Sequence, residues 1–261
     1  MIHEDDSQPV GIASSSRPGG STVTPPRAWT TGGPLWHNEF HPPKERPCMR
    51  RFDLSGPIRE GMWTYGAPLP EVRIRRVASL ERDGWDAHVL HAPNLLGTSI
   101  ETAAHLQPDR PTIEEIPLDR FFARAVVLQL EEKPRRGVIE QEELQKAAAP
   151  IEPGMAILVA TGWDRMWDDP RYYWDSPHFT REAMEWLAGR KPAILGVDIS
   201  SNSDPYGREG LNHLIFDAGA LLLGPLANLR RLSQPYVDLI CLPLNIPGLS
   251  GTPCRPVAIE E

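Results

Sequence analysis

An α/β fold is predicted for this 261-residue chain by three observations. Strand and helix signals alternate through the C-terminal half at the spacing of crossover connections. The strand segments read as continuous apolar runs, as strands covered on both faces do. Residues that start and stop helices stand between them.

The elements follow in chain order. "AVVLQL" (Ala125–Leu130) is a short β-rich run, and "IEQEELQKAAAP" is a helix stopped by Pro150. "GMAILVATG" is the next strand. "TREAMEWLAGR" is a helix with Thr180 as its N-cap and Gly189 at its end. "PAILGVDIS" is a strand and "REGLNHLIFDAG" a helix closing on Gly219; "ALLLG", "ANLRRL" and "VDLICLPL" complete the series. The region before residue 120 is more β-like and rich in turn residues, and the 28 prolines imply stiff loops. No internal repeat is visible.

Residues 1–47 have a Ser, Pro, Gly and Thr composition that builds no core, so a flexible or docking N-terminal arm is expected there, followed by a single domain over 48–261. Trp29, Trp36, His37, Phe40 and His41 near the end of the arm are expected to dock on the body of the protein or on a neighbouring subunit.

The formal charge of −8 and the pI near 5.5 argue against a nucleic-acid or anionic-membrane partner. The basic run "RIRR" (Arg73–Arg76) lies in an alternating segment and reads as a solvated strand face, with an anchor for an acidic substrate as the alternative. Cys48, Cys241 and Cys254 have no CxxC spacing, and their odd number argues against a disulfide framework, so a reducing compartment fits. The segment "MIHEDDSQPVG" has no apolar signal core, and no run approaches the ~18 apolar residues of a membrane span. A cytoplasmic protein acting on a small molecule is expected.

The stretch "LLGTSIETAAH" (Leu95–His105) carries the chemistry. It has the glycine and threonine of a tight turn, a carboxylate at Glu101 and a histidine at its end. Together with "FDLSGPIREGM", "IEEIPLDRFFARAVVLQL", "ATGWDRMW", "HFTREAMEWLA", "LGVDISSNSD", "GPLANLRRL" and "LPLNIPGLSGTPCRPVA", it resembles the bacterial kynurenine formamidase and cyclase family, with the pieces in the right order from about residue 50 to the end. The resemblance implies a swivelling β/β/α-type cyclase fold: a mixed central sheet or barrel, flanking helices, and a homodimer or homotetramer with subunit contacts near the pocket.

The family's signature is His-x-Gly-Thr-His-x-Asp-x-Pro-x-His. By resemblance, its first two histidines, its aspartate, and a later histidine and glutamate twelve residues apart bind a divalent cation that activates water. The last signature histidine moves protons. Aligned on Gly97 and Thr98, those positions are Leu95, Ser99 and Glu101, with Ala103 for the proline and His105 for the last histidine. The later pair falls on Asn212 and Gly224. Four of the five ligand positions lack a competent transition-metal donor. His213 could replace Asn212 only by a one-residue shift that turns a helical side chain by about 100°. His88 and His91 lie outside the turn. No catalytic metal and no other cofactor is expected.

Each residue also has a structural reading. His105 could be bonded to a backbone carbonyl, and Glu101 could be a surface carboxylate. Ser99 could fill the vacated ligand space, although a Ser99–His105–Glu101 triad can be drawn. Asn212 could cap a turn or bind a substrate carbonyl. Asp198 and Asp204 are read as ordering the adjacent loop, and Arg255 as a salt-bridge partner. Trp63, Tyr65 and Trp163 occupy family positions that wall the pocket and would look the same as core aromatics.

The expected function is therefore metal-independent ring closure, dehydration or isomerisation of a reactive polyketide-like or aromatic substrate in specialised metabolism. His105 would be the acid–base group and Glu101 its orienting partner or second proton carrier. Ser99, Leu95, Asn212, His213, Trp63, Tyr65 and Trp163 are expected to contact substrate. A formamide, lactone or ester hydrolase and a non-catalytic binding protein are the alternatives.

Overall fold

The strands are β1 (Arg50–Asp53), β2 (Arg73–Ala78), β3 (Ala87–His91), β4 (Ser99–Glu101), β5 (Phe122–Gln129), β6 (Val138–Ile139), β7 (Ala156–Ala160), β8 (His178–Phe179), β9 (Ile194–Val197), β10 (Leu221–Gly224), β11 (Tyr236–Ile240), β12 (Gly251–Pro253) and β13 (Val257–Glu260). The helices are α1 (Leu80–Asp83), α2 (Gln141–Ala147), α3 (Arg181–Gly189) and α4 (Asn212–Asp217). They come from a computed structural model that describes residues 49–207 and 209–261. The expected arm lies outside the described residues.

Nine strands form one mixed sheet in the order β1-β13-β11-β5-β7-β9-β10-β4-β12. The central run β5-β7-β9-β10 is parallel, and the strands on either side of it join antiparallel. This is the predicted α/β architecture, with few helices. The apolar runs are explained by burial on both faces. In β5, Val126 and Leu128 enter the core beneath the helices, while Ala125 and Val127 enter a second core on the opposite face. β7 divides in the same way, with Ile157 and Val159 on one side and Leu158 and Ala160 on the other.

Thr180 caps α3 as predicted: its hydroxyl accepts from the Ala183 N–H at 3.1 Å. Ala183, Met184 and Leu187 form its buried stripe. The helix predicted over 208–219 is shorter and begins at Asn212. The Leu211 N–H is taken instead by the Ser203 hydroxyl at 2.9 Å, and Glu209 and Gly210 lie outside the helix. "ANLRRL" forms a single 3₁₀ turn, Leu229–Arg231, because Asn228 adopts a left-handed φ of 62°.

β2 and β3 form a separate antiparallel hairpin. Arg73, Arg75 and Arg76 are exposed on it, and Arg76 pairs with Asp86 at 2.6 Å, which is the solvated strand face expected of "RIRR". Among the described residues no helix is long and apolar enough to cross a membrane.

Candidate active site

The turn before β4 needs its glycine: Gly97 has a φ of 55°, where a Cβ is strained. Thr98 then fastens the strand. Its hydroxyl accepts from the Gly56 N–H at 3.1 Å and donates to the Pro225 carbonyl at 2.7 Å. Within β4 the two-residue period sends Ile100 into the core, with Ser99 and Glu101 on the other face. Thr102 ends the strand by donating its N–H to the Ser250 carbonyl. Its hydroxyl caps a 3₁₀ turn, Ala103–His105, by accepting from the Ala104 N–H at 3.2 Å, and the turn brings His105 back beside Glu101.

Glu101 and His105 border a cavity of about 300 Å³ at the C-terminal ends of β9 and β10. In parallel sheets that is where ligand crevices open. Glu101, His105, Leu95, Tyr65, Asn212 and Gly224 line it, so the structure brings together most of the positions that the sequence singles out. Asn202, Ile199 and Tyr173 also line it and were missed by sequence reasoning. The loop leaving the predicted strand "PAILGVDIS" could have pointed to Ile199 and Asn202 by the crevice rule. Nothing in the spacing marks Tyr173, which is brought in by an edge contact with Tyr65 at 5.2 Å between ring centroids.

Four expected substrate contacts do not line the cavity. Ser99 is fully buried and donates its hydroxyl to the Gly224 carbonyl at 3.3 Å. Trp163 is core, its indole N–H bonded to the Tyr172 carbonyl at 3.1 Å. Trp63 packs between Tyr172 and Trp167, with centroids at 4.6 and 5.4 Å. His213 sits one residue past Asn212 on α4, and that step turns its ring away, so that Nδ1 lies 2.5 Å from the Gly210 carbonyl.

The Glu101 and His105 side chains are 16% and 35% exposed, and Oε2 and Nε2 are 3.9 Å apart. Burial pushes the Glu101 carboxyl up to about 7 and the His105 imidazole below 6.5, because desolvation disfavours the charged form of each. Near neutrality the carboxyl is thus shared between its acid and ionised forms beside a mostly uncharged imidazole. The Tyr65 phenol is held well above its ordinary 10, first by burial and then by the Glu101 charge, so it stays a neutral donor.

Asp198 is completely buried just past β9. It accepts from the Thr161 N–H at 2.8 Å, the Thr161 hydroxyl at 2.7 Å and the Gly162 N–H at 2.7 Å, and so ties the ends of β7 and β9 together beneath the cavity. Asp204 pairs with Arg136 at 3.2 Å, and Arg255 with Asp53 at 2.7 Å.

The donor set does not fit a resident transition metal. Glu101 and His105 are the competent ligands on the cavity wall; Leu95 and Gly224 offer no donor side chain, and the Ser99 hydroxyl is engaged by a backbone carbonyl. Among the described residues no three His, Cys, Asp or Glu side chains converge as a metal site would require. His88 and His91 lie on β3, outside the cavity.

The mixed sheet and the cavity at its strand ends place the chain among α/β proteins built around a strand-end crevice. The chain belongs to the cyclase family: the family model described as "Putative cyclase" matches residues 52–203, more than half of the chain. It is 23% identical over 211 residues to the kynurenine formamidase of Paracidovorax citrulli, covering 79% of this chain and 94% of that protein. Isatin hydrolase A from Ralstonia solanacearum superposes with a TM-score of 0.73 at 24% identity, over 82% of this chain and 92% of that one. Isatin hydrolase A from Labrenzia aggregata, bound to benzyl benzoate, gives 0.68 at 20% identity, over 81% and 93%. The two superpositions establish the fold. The family expected from the eight segments and its mixed-sheet architecture are therefore both found.

Proposed function

We propose that this chain is an enzyme that moves protons on a small, reactive carbonyl compound, with His105 as base, Glu101 as acid and no resident metal. The observation that carries this reading is a carboxyl and an imidazole facing one cavity, 3.9 Å apart, each pushed by burial toward its uncharged form. His105 removes a proton from a carbon next to a carbonyl, and Glu101 donates its own proton to the carbonyl oxygen, giving an enol. In a ring closure, the enol carbon attacks a second carbonyl of the same substrate. The enol proton then returns to Glu101, and the imidazolium proton passes to the new alkoxide, so both groups are restored. Positioned proton transfer contributes roughly 10²–10⁴-fold, which suits an already acidic C–H bond and not a stable amide. Leu95, Ile199 and Leu222 among the lining residues favour an aromatic or polyketide-like skeleton.

Hydrolysis of an amide or lactone is the second reading, favoured by the names of the relatives. It would use His105 to activate water.

The test needs no known substrate. The full chain, treated with chelator and checked by elemental analysis, is mixed with 2-tetralone in D₂O, and exchange at the carbon between ring and carbonyl is followed by NMR. Metal-free protein should accelerate exchange, and His105→Ala should abolish the acceleration while remaining folded by circular dichroism. Activity that requires a stoichiometric metal, or that survives His105→Ala, would falsify the assignment.

A further inference from the structure

Asn202 is 4% exposed and lines the cavity in the loop after β9. Its side-chain N–H donates to Oδ1 of Asn212 at 2.9 Å, while its own Oδ1 is buried without a partner among the described residues. A buried amide oxygen left unpaired is destabilising, so a polar residue at this depth calls for a reason beyond packing. The bond to Asn212 supplies one. With its oxygen engaged, the Asn212 amide no longer turns freely about its terminal bond. Its NH₂ group meets no acceptor among the described residues, and Asn212 is itself a lining residue.

We infer that Asn202 is a positioning residue: it locks the Asn212 amide so that an N–H is offered to the cavity, and the cavity thereby selects an uncharged ligand bearing a carbonyl oxygen. The inference rests on the proton-transfer reading above, in which that oxygen accepts the Glu101 proton as the enol forms beside His105. A neutral amide N–H matches an oxygen that starts neutral. No Lys or Arg lines the cavity among the described residues, so a carboxylate would find no counter-charge.

The experiment compares the affinity of the full chain for 2-tetralone and for tetralin, the same bicycle without the oxygen. The wild type should prefer the ketone about tenfold, the size of one neutral hydrogen bond. Asn202→Ala should cut that preference, read as the ratio of ketone to tetralin affinity in the same variant, at least about threefold. Asn202→Asp, nearly isosteric, should abolish it, because a carboxylate at 202 accepts from the Asn212 NH₂ and turns its oxygen to the cavity. Asn212→Asp should also abolish it, since the bond to Asn202 survives and the donor is lost. No ketone preference in the wild type, or a preference unchanged in both Asn202 variants, overturns the inference. The exchange assay separates the two ideas. Exchange that needs His105 but with Asn202 irrelevant to ketone binding sinks only this inference. A ketone preference that needs Asn202, without any exchange, sinks the proton-transfer reading.

Discussion

Nε2 of His105 stands 3.9 Å from Oε2 of Glu101, too far for a direct hydrogen bond. Glu101 therefore does not orient the imidazole as the third member of a triad does. Both groups are governed by desolvation, which pushes them toward their uncharged forms.

Catalysis should follow a bell in pH. The productive form has Glu101 protonated and His105 neutral. Exchange of 2-tetralone should fall on the alkaline side as pH passes about 7, and on the acid side as His105 protonates, at a lower pH than an ordinary imidazole would. In Glu101→Gln the rate should drop roughly 10²-fold or more, and the alkaline limb should disappear from what remains. A full pH–rate profile of both proteins checks this.

Stability should change with pH in a direction set by the same carboxyl. Its folded value is raised from 4.5 to about 7, so its contribution is whole below 4.5 and is lost as pH rises through 7. Glu101→Gln removes that loss. Urea denaturation should find the variant more stable than wild type at pH 8 by on the order of 1–3 kcal/mol, with no advantage at pH 4.5. His105 acts in the opposite sense: its folded value is lowered, so its contribution disappears as pH falls below 6.5.

Ser99→Ala should leave exchange within about tenfold of wild type, because the hydroxyl points to the Gly224 carbonyl and not to the cavity. Loss of a nucleophile would instead cost several orders of magnitude. Hydrolysis of formamide and lactone probes by the same variant gives the second half of the measurement: a collapse of about a thousandfold or more there would make Ser99 a nucleophile.

Gly224 should resist any side chain. A Cβ at that position would meet the Val197 carbonyl at 2.9 Å and Val197 Cγ2 at 3.2 Å. Gly224→Ala should lower the unfolding free energy by about 1–3 kcal/mol, and Gly224→Glu, which restores the family's carboxylate, should lower it further without creating a metal site. Chemical denaturation and metal titration of both variants test this.

Much of the architecture was legible because it depends on patterns a few residues long. The runs "AVVL", "AILVA" and "ILGV" are apolar throughout because both faces of β5, β7 and β9 are covered, and Thr180 announces α3 because a cap bonds within one turn. The helix around Asn212 was overextended because its start is decided by Ser203, eight residues before Leu211. Trp63 and Trp163 could not be told from pocket aromatics, since an indole in a core and one on a cavity wall have the same sequence context.

The sequence by itself determined the strand order of apolar segments, the family, and the loss of ligand chemistry at Leu95, Ser99, Asn212 and Gly224, because these are properties of residue identity and spacing. Only the tertiary structure decided which of the surviving polar groups share one cavity. Glu101 and His105 are near neighbours in the chain, whereas Asn202 and Asn212 meet them only through the pairing of β4 with β10 and of β10 with β9. The protonation states of the pair follow from burial, which depends on distant segments closing over them.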